Sequence, residues 1–337
     1  MKSLSVPKIA GLLTLAVMMI SCIDGSKQGL HKESRFLMGT LVTVTLPGEK
    51  QHAARSSSAV LNEIARLEDL TSFHKPSMLN TINDSSGTSP MEVSEELLSI
   101  VKLSLVLANQ TDGAFDPTIG AVARLWNFSG SGQTRVPPDS EVQEALPLVD
   151  WRLVQIDDAA GTVFLPRKGM ALDLGGMVKA YALEQAKQTL LRLGIQSALV
   201  DIGGDILALG EKSVGQKWRI GIRDPQSQSS IRGIVALKDR FILTSGDYER
   251  YLASEGVHYH HILDPRTGYP VQGVRSVTLV VDDSLLTAPA GVFVMGLKKG
   301  LVFIDQFSGV YGWIIDADGE VHSSKGAEAV LEGVGGR

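Results

Sequence analysis

Asp173-Leu174-Gly175-Gly176-Met177-Val178-Lys179-Ala180-Tyr181-Ala182 sets two glycines and a lysine between an acidic residue and the start of a helical pattern. Glycines let a backbone come close to an anion, and the free N–H groups of a helix N-terminus point at it. Lys179, about one turn in, brings a cation to the same oxygens. Two readings of the stretch stand side by side: a seat for a phosphate, or a strand-to-helix turn in which Gly175 and Gly176 only make the bend. In both, a helix runs from Met177 to Leu193.

Outward from this stretch, Arg35 to Pro47 alternates like a strand (Leu37, Leu41, Val42, Val44, Leu46), and Ala53 to Leu70 carries Val60, Ile64 and Leu67 at helical spacing. Val93 to Gln110 reads as a second helix, with Ser94 as N-cap, Glu95 and Glu96 in its first turn and Gly113 as its stop. Ser129 to Pro138 is a Gly/Ser/Pro-rich loop. Ser197 to Leu209, Trp218 to Arg223, Gly233 to Leu237, Phe241 to Thr244 and Ser276 to Val281 are short β-rich runs separated by turn residues. A last helix from about Pro289 to Phe307 and a strand from Val310 to Ile315 close the chain. Antiparallel strands with few helices between them predict an α+β fold rather than a doubly wound sheet. No repeat and no long linker divides it.

Met1 to Ser21 reads as a secretory leader, with Lys2 and Lys8 ahead of an apolar run, Ile9 to Ile20, that is too short for an ordinary membrane span. Cys22 follows at once and is the only cysteine, which excludes an internal disulfide. Its position after Met19-Ile20-Ser21 looks like a lipobox, so lipidation and cleavage at Cys22 are expected; the alternative is an unmodified thiol behind a cleaved leader. Residues 22–34 then form a tether and 35–337 the folded domain. The net charge is −5, with no basic cluster, which argues against nucleic acid as a partner.

Five further motifs accompany the opening stretch: Met38-Gly39-Thr40; Gly113-Ala114-Phe115-Asp116-Pro117-Thr118; Asp201-Ile202-Gly203-Gly204-Asp205; Thr244-Ser245-Gly246-Asp247-Tyr248; and His261-Ile262-Leu263-Asp264-Pro265-Arg266-Thr267-Gly268-Tyr269-Pro270. Singly, each has a bland explanation as a turn or a core residue. As an ordered set from about Arg35 to Phe307, they resemble the ApbE family, the FAD:protein FMN transferases.

That resemblance implies a T-fold-like α+β architecture, antiparallel sheets packed with helices around a central cleft that holds FAD. By position, Met38, Phe73, Ala114, Phe115, Asp116, Asp173, Lys179 and Ile262 are expected to contact FAD. Asp173 is expected to hydrogen-bond the cofactor or act as a base, with an N-cap on the following helix as the alternative. His261 matches the histidine beside the reacting phosphate, where it takes a proton from the incoming hydroxyl. The implied reaction moves FMN from FAD to a Thr or Ser hydroxyl of a partner protein and releases AMP, assisted by Mg2+. Two alternatives remain: an Mg-dependent FAD pyrophosphatase, and an FAD-binding lipoprotein with weakened catalysis. Family membership also implies the bacterial cell envelope, lipid-anchored through Cys22 and facing the periplasm or exterior.

Two local features need separate treatment. His258, His260 and His261 form an H-x-H-H cluster, but in a strand His258 and His260 share a face that His261 does not, and no cysteine lies nearby, so surface or rim positions are expected for the first two rather than zinc ligation. The metal segment departs from the family, which places A-D-A-L-x-T just before a helix like Val292-Phe293-Val294-Met295-Gly296. Here Leu286 falls at the Asp position and Ala290 at the Thr position. Leucine offers a hard cation no oxygen. The implied metal ligands are then the Gly176 carbonyl with Thr287, Asp283 or Asp282, brought in by a shift of register.

Overall fold

The computed structural model describes residues 29–128 and 135–334. The leader, Cys22 and the tether up to residue 28 lie outside the described residues, as do residues 129–134 of the predicted loop. An eight-stranded antiparallel sheet forms the centre. Its spatial order is Leu30–Leu37, Thr40–Pro47, Ala198–Ile202, Asp205–Leu209, Arg240–Gly246, Val274–Val281, Tyr311–Asp316, Val321–Ser323. The α-helices are α1 (Lys50–Thr71), α2 (Met78–Asp84), α3 (Glu95–Gln110), α4 (Gly120–Trp126), α5 (Asp139–Ala145), α6 (Gly175–Arg192) and α7 (Pro289–Ile304).

The period-2 pattern of the strands decides which face each helix covers. Val42, Val44, Val200, Ile202, Leu207, Phe241, Leu243, Val277 and Leu279 point to one face. There they pack on Val60, Ile64 and Leu67 of α1, Leu183 and Leu190 of α6, and Val292, Phe293 and Phe303 of α7. Ile206, Ala208, Ile242, Val280 and Trp313 point the other way, onto Trp218, Ile220, Ile222, Val235 and Leu237 of a three-stranded sheet. Each fully buried large apolar side chain contributes roughly 1.5–3 kcal/mol. A further cluster joins α2 and α3 to Leu172, Leu174 and Met177, and so fixes where α6 begins. The architecture is α+β, as the strand-rich second half of the sequence predicts.

The boundaries differ in instructive places. Arg35–Pro47 is not one strand: the chain reverses at Met38-Gly39, whose φ values of 52° and 71° make the two-residue turn that suits strand twist. The first strand begins at Leu30, so residues 30–34, expected in the tether, pair with residues 43–47 instead. Ser197–Leu209 is likewise a hairpin, turned at Gly203-Gly204. α6 starts at Gly175, two residues ahead of the expected Met177, and α7 stops at Ile304 instead of Phe307. α2, α4 and α5, of seven residues each, are too short to give a periodic signal.

Candidate active site

The two hairpin turns touch. A Cβ placed on Gly203 would fall 2.3 Å from the Thr40 hydroxyl, so Met38-Gly39-Thr40 and Ile202-Gly203-Gly204 meet only because position 203 is glycine, which also tolerates its φ of 62°. From the 205–209 strand, Asp205 is buried and pairs with Lys179 of α6 at 2.6 Å. The other Asp205 carboxylate oxygen accepts the Thr244 N–H at 2.8 Å. One ion pair thus binds three of the sequence motifs together. Next to it, burial pushes the Asp201 carboxyl above its ordinary value. The Gly204 N–H that it accepts works against this, the charge of Asp205 adds to it, and Arg223 and Lys179 pull it back.

The N-terminus of α6 is open. Gly175 and Gly176 are exposed, and α6 has no side-chain cap at Leu174. Asp173 instead accepts the Gly175 N–H at 2.8 Å through one oxygen, while its own N–H donates to the Pro117 carbonyl. Asp173 therefore combines part of the capping role with a carboxylate at the cleft. Gly176 lies against Phe115: an added Cβ would come 2.9 Å from the Phe115 ring and 3.8 Å from the Ala290 methyl.

His261 projects from the end of the hairpin formed by Tyr251–Ser254 and Val257–His260. Its backbone N–H donates to the Arg250 carbonyl at 3.0 Å, and its Nδ1 lies 3.3 Å from that same oxygen. A carbonyl only accepts, so Nδ1 carries the hydrogen and Nε2 keeps its lone pair. Burial first, then the charges of Arg250, His260 and Lys179, push the imidazole pKa down to about 3. It is neutral at physiological pH, with Nε2 unprotonated, and in this state is a weaker base than a free imidazole. His74 is held below its ordinary range too, by burial and by Arg250, against the opposing charge of Asp173. His261 and His74 both feel the charge of Arg250, and Lys179 and Asp173 respectively, so these five residues lie close together where the family resemblance expects the FAD cleft.

His260 corrects the expectation of a surface or rim position. It is 3% exposed, its Nε2 bonds the Val271 carbonyl at 2.7 Å and its Nδ1 accepts the Ile262 N–H at 3.2 Å. Both nitrogens are occupied and the ring packs edge-on against Phe293, which makes it a core residue. His258 is exposed and bonds the Asp247 carbonyl. Among the described residues no group of three His, Cys, Asp or Glu is placed to hold a metal ion.

The remaining expected contacts are distributed unevenly. Met38 and Ala114 are partly buried and pack on the same core cluster that contains Ile262. Phe73 is partly exposed, with the Arg124 guanidinium 5.5 Å from its ring centroid and Gly120 beneath its edge. Asp116 is buried, and its carboxylate is already spent: one oxygen accepts the N–H and hydroxyl of Thr118, the other the Trp151 N–H. Burial raises its pKa against those bonds. Asp116 thus shapes the loop that presents Ala114 and Phe115. Trp126 donates from Nε1 to the Gly268 carbonyl at 2.9 Å and locks the Thr267-Gly268-Tyr269 turn behind His261.

The segment expected to complete a metal site does not assemble one. Asp282 pairs with Arg240 at 2.8 Å, and Asp283 is exposed with one oxygen accepting the Leu285 N–H. Leu286 is 36% exposed. Thr287 is 3% exposed and its hydroxyl has no hydrogen-bond partner, so it is the one orphaned oxygen of the segment. Ala290, at the family's Thr position, is the residue that faces Gly176. A hard divalent cation prefers carboxylate oxygens; Asp282 is held by Arg240, whereas Asp283 keeps its second oxygen, four residues ahead of the Thr287 hydroxyl. Asp283 and the Thr287 hydroxyl are oxygen donors of the kind a hard cation takes, while Leu286 and Ala290 offer none.

Asp205 and Arg250 were missed as functional candidates in the sequence. The signals were present: Asp205 closes the Asp-Ile-Gly-Gly-Asp run, and Arg250 follows Thr244–Tyr248 by two residues.

Comparison with known proteins gives a consistent answer. The model of the ApbE family matches residues 38–314. The FAD:protein FMN transferase of Treponema pallidum is 33% identical, covering 91% of this chain and 90% of that one. A protein of the same name from Klebsiella pneumoniae is 31% identical over 83% of this chain and 87% of its own. The crystal structure of the ApbE protein of Thermotoga maritima superposes with a TM-score of 0.83 at 33% identity, over 90% of this chain and all of that one. The flavin transferase ApbE from Vibrio cholerae gives 0.79 at 26% identity, again over 90% of this chain and 100% of its own.

Proposed function

The chain belongs to the ApbE family, and from that premise we propose that it is an FAD:protein FMN transferase whose acceptor is a Thr or Ser hydroxyl of a partner protein. The acceptor oxygen attacks the flavin-side phosphorus of FAD. As that P–O bond forms, the bond from this phosphorus to the bridging oxygen breaks and AMP leaves. The hydroxyl proton passes to Nε2 of His261. FMN remains on the acceptor as a phosphoester. The observation that carries this reading is the geometry of His261: its Nδ1–H sits on the Arg250 carbonyl, which leaves the Nε2 lone pair with no partner among the described residues.

The other parts follow from the geometry. Bringing two anionic phosphates and a nucleophile together in line needs nearby positive charge and a fixed frame. Lys179 supplies charge, Asp205 aims it, and the exposed N–H at Gly176, next to the Gly175 N–H that Asp173 holds, suits a phosphate oxygen. Mg2+ assistance is implied by the family alone. It would draw on the Gly176 carbonyl and the Thr287 hydroxyl, and no step above depends on it.

A second reading, an FAD-binding protein with weakened turnover, is favoured by one observation: Leu286 and Ala290 stand where the family carries its Asp and Thr. Incubation with FAD and an acceptor protein bearing a flavinylatable threonine separates the readings. Transfer gives a fluorescent acceptor band under denaturing conditions with equimolar AMP; hydrolysis gives AMP and free FMN; binding alone gives neither. Anchoring in the bacterial envelope through Cys22, facing the periplasm or exterior, is part of the proposal and rests on the lipobox-like Met19-Ile20-Ser21-Cys22. Failure of the wild-type protein to incorporate a labelled fatty acid, with a Cys22→Ser variant as the unlabelled control, would count against it.

A further inference from the structure

Arg250 ends the run Thr244-Ser245-Gly246-Asp247-Tyr248-Glu249-Arg250 and is exposed, yet among the described residues it has no ion-pair partner. Its neighbours are engaged: Arg223 meets Glu249 at 3.5 Å and Arg275 meets Asp247 at 3.1 Å. Arg250 is also held in place at its base, because its carbonyl receives the His261 N–H and faces His261 Nδ1. From there the side chain reaches the other rim. Its Nη2 lies 3.8 Å from where a Cβ on Gly39 would stand, at the Met38-Gly39 turn.

The position matters because of what surrounds it. The charge of Arg250 is felt at His261 on one side and at His74, near Asp173, on the other. Across the cleft, Leu286 and Ala290 bring no oxygen that would hold a divalent cation. Lys179, the other cation at the site, is already shared with Asp205. A guanidinium presents a planar fork of donors that matches phosphate oxygens in pairs, and it stays charged at any physiological pH.

We propose that Arg250 is a phosphate-binding residue of this cleft, its guanidinium taking the diphosphate of FAD alongside Lys179 and adding a side-chain cation that neutralises its charge. The inference rests on the FAD reading above and adds to it a residue and a role. It predicts affinity that tracks the phosphates of the ligand and not its isoalloxazine ring.

The test is titration of the wild-type protein, Arg250→Gln and Arg250→Lys with FAD and, separately, with riboflavin, following flavin fluorescence. Arg250→Gln should weaken FAD about 10- to 100-fold, the range for a lost charged hydrogen bond, and leave riboflavin within about twofold. Arg250→Lys should recover part of the FAD affinity, since it restores the charge without the fork. Equal loss for FAD and riboflavin would mark a structural role and overturn the proposal, as would unchanged FAD affinity. If Arg250→Gln melts early, Arg250→Lys alone decides: selective weakening of FAD supports the role, and affinities at wild-type level for both ligands overturn it. A wild-type protein that binds no FAD would sink the FAD reading itself and this inference with it, whereas wild-type binding with indifferent variants removes only this one.

Discussion

The two walls of the cleft are built on opposite principles. On the 173–179 side the polar groups are all put to use within the cleft, where Asp173 holds the Gly175 N–H, Gly176 makes room for Phe115, and Lys179 is tied through Asp205 to Thr244. On the 282–290 side the polar groups are engaged elsewhere or left over, with Asp282 on Arg240, Asp283 holding the Leu285 N–H through one oxygen only, and Thr287 buried without a partner among the described residues. A motif can therefore be complete on one side of a site while its counterpart has been replaced by apolar residues. What the second wall gives up, the side-chain cations on the first and at the 244–250 turn can provide.

The largest expected effect falls on the group that neither wall supplies. His261→Asn keeps a polar side chain of similar reach but no base, and should lower flavin transfer by about 100- to 10,000-fold while FAD binding changes little. Quenched-flow measurement of AMP release checks this; transfer within a few-fold of wild type would remove His261 as the base. The same residue gives a pH signature. Its pKa in the folded protein, about 3, lies below the ordinary value of 6.5, so its contribution to stability is fully present above about pH 6.5 and is lost as pH falls toward 3. Urea midpoints measured from pH 7 to 4 should fall less steeply in His261→Asn than in the wild type.

Lys179→Met tests the wall that is complete. It leaves Asp205 buried without its cation, so it should cost about 1–3 kcal/mol in chemical denaturation as well as FAD affinity. Adding Asp205→Asn should return most of the stability and none of the affinity. Recovery of both would show that Lys179 is only a structural partner. Gly176→Ala forces a methyl toward the Phe115 ring, and overpacking of this kind should cost about 1–3 kcal/mol, visible as a lower melting temperature.

Much of this was legible in the sequence, and the parts that were not have physical causes. Gly176 and Gly203 stand where a Cβ would strike Phe115 and Thr40, Gly204 takes a φ of 97°, and Lys179 is marked by its spacing from the first pair. Asp116 and Asp173 look alike in sequence, yet one is buried with both oxygens bonded to Thr118 and Trp151 and the other is half-buried with one oxygen bonded. His260 and His261 are neighbours with opposite fates, because the alternation of a strand turns one into the core and the other to the cleft. The first hairpin was hidden because Met38 takes a left-handed conformation that methionine does not advertise. Arg250 was hidden because being unpaired is a property of space and not of order.

The incomplete wall can be rebuilt. Leu286→Asp with Ala290→Thr places oxygens at the two family positions, with Ala290 already facing Gly176. The double variant should bind Mg2+ measurably by calorimetry and gain a dependence on it, about tenfold or more in flavin transfer between EDTA and millimolar Mg2+, an effect of roughly 1.4 kcal/mol. No gain in binding would mean that the backbone of this segment, and not only its side chains, has left the metal geometry.

The smallest effect is the most diagnostic for the wall as it stands. Thr287→Val removes the orphaned hydroxyl and keeps the shape of the side chain. A buried hydroxyl with no partner costs the folded protein part of its desolvation, so the variant should be neutral or up to about 1 kcal/mol more stable. If the hydroxyl serves no ligand, transfer should stay unchanged as well. A variant that gains stability but loses turnover would instead identify Thr287 as an oxygen kept, at a cost to the fold, for an ion or phosphate, and the contrast between the walls would then be one of degree.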